Sequence, residues 1–328
     1  MKRIASLSLL LLVSVVMAQQ TAQKFVLETK YLLYLPDGYE SDTTRNWPLM
    51  IFLHGSGESG EDVDKVKVNG PPKLIEQGKK FPMIVISPQA PKAEGFKPEI
   101  LKKMLDDLKS KYRVDADRVY LTGLSMGGFG TFEFAGRFPD EFAAIAPVCG
   151  GGDPTKAYRL RHIPTWIFHG AKDDVVLPIE SQRMADSLSR FSKNVRLTMY
   201  PEANHNSWDV TYANDSLYSW MLQQKKFRYA GTIADAGRLK KLQGTFRNTQ
   251  GNSLVVFFAD DALWIRGESD EEKTELKPFS SDGFFIVEDR FIELYFHLDK
   301  KGKALSFSLD DAEGRTKFTK VKNRKKSD

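Results

Sequence analysis

Seven short apolar runs, "YLLYLP", "PLMIFLHG", "FPMIVISP", "RVYLTG", "FAAIAPV", "PTWIFHG" and "VRLTMY", punctuate the chain up to Lys226. Several are apolar without alternation, as a strand buried on both faces of a parallel sheet must be, because neither face meets water. Between them lie segments with helical spacing. In "PEILKKMLDDLKSKY", Ile100, Met104, Leu105 and Leu108 fall on one side, and in "NDSLYSWMLQQ", Leu217, Trp220 and Met221 share a face. Strand and helix in alternation predict an α/β layered domain. After Lys226 the pattern changes to hairpins, with turns at Asp260-Asp261, near Asp282-Gly283 and near Lys300 to Gly302, and with Glu313-Gly314 before a last strand. No helix is legible there, so a small antiparallel β domain is expected. The chain is accordingly divided into an α/β unit over 25–226, a linker over 227–240 and a β domain over 241–328. A length of 328 residues, more than one core usually occupies, agrees with two domains.

The first residues bear on location. Lys2 and Arg3 precede an apolar stretch from Leu7 to Met17 and then Val16-Met17-Ala18, the pattern of a cleaved signal peptide over 1–18. The stretch is shorter than the roughly 20 residues that span a bilayer, so no transmembrane anchor is expected and the mature chain is expected outside the cytoplasm, secreted or periplasmic. Cys149 is the only cysteine, which excludes a disulfide framework and a multi-cysteine metal site. Residues 1–18 carry two basic groups and no acids, so the formal charge of +5 becomes +3 without them. That balance gives no footing for nucleic acid.

A serine between glycines, in "VYLTGLSMGGFG", carries the chemistry. "GLSMG" fits G-x-S-x-G, with a strand before it and a helix-like segment after it, the context in which a sharp turn lifts a serine nucleophile above a sheet. A serine hydroxyl is a weak nucleophile at neutral pH and needs a base, a group that orients the base, and donors for the oxyanion. Of the five histidines, His54 and His169 end apolar strands, His162 lies in a charged connector and His297 belongs to the β domain. His205, in "YPEANHNSWD", follows the last α/β strand and is the candidate base for Ser125. The acid is expected between serine and histidine in chain order, where "WIFHGAKDDVVLP" offers Asp173 and Asp174; either could instead cap the helix beginning near Pro178. Oxyanion donors are expected from the N–H of Met126 and from the loop "HGSGESGED", through Ser56 or Gly57. That loop lacks the lysine of a phosphate-binding P-loop, which argues against a nucleotide.

Taken together, "FLHGSGESGED", "FPMIVISPQAP", "DADRVYLTGLSMGGFGTFEFA", "FAAIAPVCGGGDP", "PTWIFHGAKDDVV" and "NHNSWDVTY" resemble secreted α/β-hydrolase esterases of the predicted-peptidase or phospholipase/carboxylesterase-like group, near feruloyl and acetylxylan esterases. The resemblance covers roughly residues 28–225. It implies an α/β-hydrolase fold, a mostly parallel sheet with helices on both faces, and a triad of Ser125, Asp173 and His205 with Ser56 and Met126 as oxyanion donors. Gly57 and Trp208 are then expected to touch substrate, with ordinary core packing an equal expectation for Trp208. Glu58 matches the pattern without a physical reason from sequence, and so does the loop Gly150 to Gly152.

The resulting expectation is an exported serine esterase acting on acyl esters, with a polysaccharide-linked substrate implied by the resemblance, and with no metal or organic cofactor. Two alternatives stand beside it. One is a serine peptidase of the prolyl-oligopeptidase type, against which the short stretch ahead of the first strand leaves no room for a large gating domain. The other is a non-catalytic glycan-binding protein, against which all three triad residues are present.

Overall fold

The computed structural model describes residues 29–91, 95–229, 235–287 and 291–321. The expected leader at 1–18, part of the 227–240 linker and the basic tail beyond residue 321 lie outside the described residues.

All seven apolar runs become strands of one sheet: β1 Tyr31–Tyr34, β2 Trp47–Leu53, β3 Ile84–Pro88, β4 Val114–Leu124, β5 Ala144–Val148, β6 Thr165–Gly170 and β7 Val195–Tyr200. Their order is β1-β3-β2-β4-β5-β6-β7, parallel except where β1 runs against β3. Every residue of β2 is buried. Leu49, Ile51 and Leu53 enter one hydrophobic cluster and Met50 and Phe52 the other, the two-residue alternation of a strand with no wet face.

Six helices cover the sheet: α1 Gly70–Glu76, α2 Pro98–Lys111, α3 Met126–Arg137, α4 Ile179–Ser189, α5 Trp208–Ala213 and α6 Asp215–Gln223. α2 and α4 bury Leu101, Met104, Leu105, Leu108, Met184 and Leu188 in the first cluster. On the opposite side α5 and α6 bury Tyr212, Leu217, Trp220 and Met221 in the second. The apolar stripe of α2 is rotated slightly from the expected one, since Leu101 is buried and Ile100 only half-buried. The chain moves from β2 to β3 on one side and to β4 on the other. The crevice beyond the carboxyl ends of these strands is therefore a topological switch point, where α/β sheets bind ligands.

The later part of the chain forms β8 Gly244–Arg247, β9 Ser253–Ala259, β10 Ala262–Gly267, β11 Thr274–Pro278, β12 Gly283–Ile286, β13 Glu293–Leu298, β14 Ala304–Asp311 and β15 Gly314–Lys320. These are antiparallel, as expected, and they close into an eight-stranded barrel, which the hairpin pattern alone did not announce. At the β9–β10 turn both Asp260 and Asp261 take left-handed backbone, φ 52° and 57°, between the paired residues Ala259 and Ala262. This is the primed two-residue turn that suits strand twist, and aspartate tolerates it better than most residues. Phe246, Phe284, Phe296, Phe307 and Phe318 pack inside the barrel. A one-turn helix not legible in the sequence, α7 Ala236–Leu239, contributes Leu239 to the same core.

Barrel and sheet unit meet at a buried carboxyl group. Glu293 Oε1 accepts from Arg161 Nη2 at 2.7 Å, His162 Nε2 at 2.6 Å and the Tyr229 hydroxyl at 2.6 Å, while Oε2 accepts from the Tyr295 hydroxyl at 2.7 Å. Burial alone would raise its pKa. The hydrogen bond from His162 and the charge of Arg161 outweigh burial and lower it to about 2. Nearby, the Tyr158 hydroxyl donates to the Asp310 carbonyl at 2.7 Å, so the segment Pro154–Leu160 is tied to the barrel wall.

Candidate active site

β4 ends at Leu124 and α3 begins at Met126, leaving Ser125 alone in the turn, at φ 52° and ψ −116°. Such backbone is strained for a non-glycine residue and persists only where its surroundings enforce it. The glycines on either side permit the turn. A Cβ on Gly127 would sit 2.0 Å from the Leu53 carbonyl oxygen, and one on Gly123 would sit 2.3 Å from that of Gly127, so α3 can lie against β2 and β4 only without side chains there. Ser125 N–H donates to the Val148 carbonyl at 3.0 Å, tying the elbow to the end of β5.

His205, in the loop after β7, joins the serine to an acid. Its Nε2 is 3.0 Å from Ser125 Oγ and its Nδ1 is 2.8 Å from Asp173 Oδ2. A carboxylate oxygen only accepts, so Nδ1 carries the hydrogen and Nε2 is free to accept from the serine hydroxyl. Asp173, past the end of β6, is 4% exposed, and its Oδ1 accepts from the N–H groups of Val175 and Val176 at 3.0 and 2.9 Å. Asp174 is exposed. Of the two adjacent aspartates, Asp173 is the one brought to the imidazole. His169 Nε2 lies 3.0 Å from Asp173 Oδ2 and 2.9 Å from the Val176 carbonyl, and its Nδ1 lies 2.7 Å from Ser181 Oγ. With acceptors facing Nε2, that nitrogen carries a hydrogen and supports the acid. This second histidine was missed, although its i, i+4 spacing to Asp173 in "HGAKD" was visible.

Met126 opens α3, so its N–H is among those a helix leaves without an intrahelical partner. Ser56 opens the 3-10 turn Ser56–Glu58 just beyond β2. That loop lies beside the elbow, because a Cβ on Gly55 would meet the Leu124 side chain at 2.8 Å. Ser56 and Gly57 are exposed at its rim, and the space around Gly57 is open. Trp208 opens α5 and packs edge-to-face on His205, with ring centroids 5.3 Å apart, while its Nε1 donates to Asn69 Oδ1 at 3.1 Å.

The remaining candidates are occupied otherwise. His54 is fully buried, and Ala90 N–H donates to its Nε2 at 2.9 Å while its Nδ1 donates to the Gly55 carbonyl at 2.6 Å. Burial lowers its pKa, against the raising effect of the Gly55 bond and of Glu58, and the ring serves to brace the loop. His297 bonds Ser308 within the barrel, and His162 belongs to the Glu293 cluster. Among the described residues, Cys149, Asp173 and His205 are the one group whose ligand atoms converge closely enough for a metal ion. They do not suit one. Asp173 and His205 bond each other, and burial pushes the Cys149 thiol up to about 12, away from the thiolate a metal requires. Nor does any helix among the described residues have the length and apolarity to cross a membrane.

A family model described as "Putative esterase" matches residues 24–209, more than half of the chain. The bifunctional acetylxylan esterase/xylanase XynS20E of Neocallimastix patriciarum is 25% identical over 187 residues, 55% of this chain and 27% of that protein. Feruloyl esterase B of Piromyces equi is 30% identical over 167 residues, 45% of this chain and 30% of that protein. The matched stretch thus spans less than a third of either relative. A solved thermostable esterase is similar with a TM-score of 0.54 and 31% identity, covering 61% of this chain and 60% of that one. With the family model spanning the sheet unit from before β1 to Asp209, the chain belongs to the esterase family.

Proposed function

We propose that this protein hydrolyses carboxylic esters through a covalent acyl-enzyme on Ser125. The observation that carries the reading is the single imidazole of His205 within hydrogen-bond distance of both Ser125 Oγ and the buried carboxylate of Asp173. As Ser125 Oγ attacks the ester carbonyl carbon, its proton passes to His205 Nε2, and Asp173 holds the ring and stabilises the imidazolium. The N–H groups of Met126 and Ser56 receive the oxyanion. The protonated histidine then gives its proton to the departing alcohol. A water that His205 deprotonates attacks the acyl-enzyme and releases the acid and Ser125. No metal or organic cofactor enters these steps.

The finer assignments belong to the same proposal. A glycan-linked acyl ester as substrate is supported by the names of the two fungal relatives, one an acetylxylan esterase/xylanase and the other a feruloyl esterase. Export rests on the leader read at 1–18, and the division into a catalytic unit over 25–226, a linker over 227–240 and a β domain over 241–328 is proposed with it. Gly57 and Trp208 would border the substrate. The test is kcat/KM on acetyl, feruloyl and longer acyl esters beside a matched peptide amide, for the wild type and Ser125→Ala. Esters are expected to exceed the amide by more than about a thousandfold, since an amine leaving group also demands protonation. Ser125→Ala is expected to lose roughly four to six orders of magnitude in ester turnover. Near-normal turnover in that variant would refute the mechanism, and a preference for the peptide would refute the ester assignment.

A further inference from the structure

Asn69 stands immediately before α1, where an asparagine ordinarily accepts a hydrogen bond from the first turn of its helix, yet its side chain makes no such cap. Both of its side-chain groups are engaged elsewhere. Nδ2 donates to Glu58 Oε1 at 2.7 Å, and Oδ1 accepts from Trp208 Nε1 at 3.1 Å. Trp208 in turn abuts the ring of His205. A continuous chain of contacts therefore runs from the 3-10 turn containing Ser56 and Glu58, through Asn69 and Trp208, to the base that faces Ser125.

Glu58 is an unusual residue to find at the start of that chain. It is 8% exposed, and its second oxygen, Oε2, is buried without a hydrogen-bond partner among the described residues. The nearest basic nitrogen, His54 Nδ1, lies 3.8 Å away and already donates to the Gly55 carbonyl. A buried carboxyl oxygen left unpaired weakens the fold. The Glu58 backbone is held as well, because Gln89 Nε2 donates to its carbonyl at 2.7 Å. The turn is thus fixed on its main-chain side by Gln89 and on its side-chain side by Asn69.

We propose that Glu58 is a positioning residue of the hydrolytic site: through Asn69 and Trp208 it locks the loop presenting the Ser56 N–H to the ring of His205. This rests on the ester-hydrolase reading above. The oxyanion donor and the base come from loops after β2 and after β7, which are far apart in sequence, and transition-state stabilisation requires both in register at once. The Glu58–Asn69–Trp208 chain supplies that register. Glu58 is not itself a catalytic residue, since among the described residues its side chain is hydrogen-bonded to Asn69 and not to Ser125 or His205.

The test measures ester kinetics and thermal stability for Glu58→Ala, Glu58→Gln, Trp208→Phe and the double variant Glu58→Ala/Trp208→Phe, with Ser125→Ala as the reference for loss of chemistry. Glu58→Ala is expected to lower kcat about 100-fold, the scale of an ångström-sized misplacement, with KM changed less than about threefold. Its Tm is expected to change little, since the variant removes the buried unpaired oxygen together with the one bonded to Asn69. Glu58→Gln keeps an acceptor for Asn69 and is expected to recover most of kcat. The double variant is expected to lose no more than the worse single variant, because both interrupt one chain. Near-normal kcat in Glu58→Ala, a fall in Tm matching the loss of activity, failure of the glutamine to restore kcat, or additive losses in the double variant would each overturn the proposal. If Ser125→Ala retains turnover, the ester-hydrolase reading itself falls; if it is inactive while Glu58→Ala is unimpaired, only this inference falls.

Discussion

Replacing Glu293 by glutamine removes one charge from the junction of sheet unit and barrel while keeping the side chain's shape. The carboxyl is 1% exposed and its partner Arg161 7%, so the substitution takes a charged partner from a guanidinium that little water reaches. The size of the effect follows from the carboxyl's depressed pKa. A group that titrates at 4.5 when free and at about 2 in the folded chain adds about 3 kcal/mol of stability at neutral pH, at about 1.4 kcal/mol per tenfold change. Breaking a buried ion pair by removing one partner costs about 3–5 kcal/mol in general, which is the same range. Because the folded-state pKa is lowered, the stabilisation is complete above 4.5 and is lost as pH falls through 2. Wild type and Glu293→Gln should therefore differ by about 3 kcal/mol at pH 7 and by about 1 kcal/mol near pH 3. Urea unfolding followed by tryptophan fluorescence at pH 7, 5 and 3 gives both values. A difference below about 1 kcal/mol at pH 7, or one that does not narrow on acidification, would refute the argument.

Three further outcomes are expected. Asp173→Asn should reduce kcat by about four orders of magnitude and Asp174→Asn by less than about tenfold, read by steady-state ester kinetics, since only Asp173 bonds His205; equal losses would assign the wrong acid. Gly127→Ala should destabilise the sheet unit by at least about 3 kcal/mol or prevent its folding, measured by thermal unfolding, because the added methyl would overlap a backbone carbonyl at 2.0 Å. His169→Phe keeps an aromatic ring but cannot donate to Asp173, and should lower kcat about 10-fold with little change in KM; unchanged kcat would limit His169 to packing.

What the sequence made legible was what depends on neighbours in sequence or on burial. The strands of the sheet were readable because residues such as Leu49 to Leu53 have no wet face. Ser125 was readable because its elbow needs glycine at two fixed offsets, which the overlaps at Gly123 and Gly127 explain. Asp173 and Asp174 could not be separated by spacing alone, since both follow β6; the difference lies in the pair of backbone N–H groups and the two imidazoles that surround only the first. Closure of the barrel was equally hidden, because alternation specifies each hairpin but not the pairing of the last strand with the first. The contact of Asn69 with Trp208 joins positions 139 apart and leaves no local trace.

That closing pair sets an order of events in folding. Lys320 on β15 pairs with Phe246 on β8, so the ring cannot shut until nearly the whole described chain has been synthesised. Until then β8 and β14 present open edges on which another chain could pair. The parallel sheet, whose last strand ends at Tyr200, has all its parts much earlier and can form while the barrel strands are still emerging. Glu293 then reaches Arg161 only when the barrel, the last part of the described chain to be made, comes together. A chain stopped ahead of Gly314 should accordingly aggregate through its unclosed edges rather than lose only its last strand.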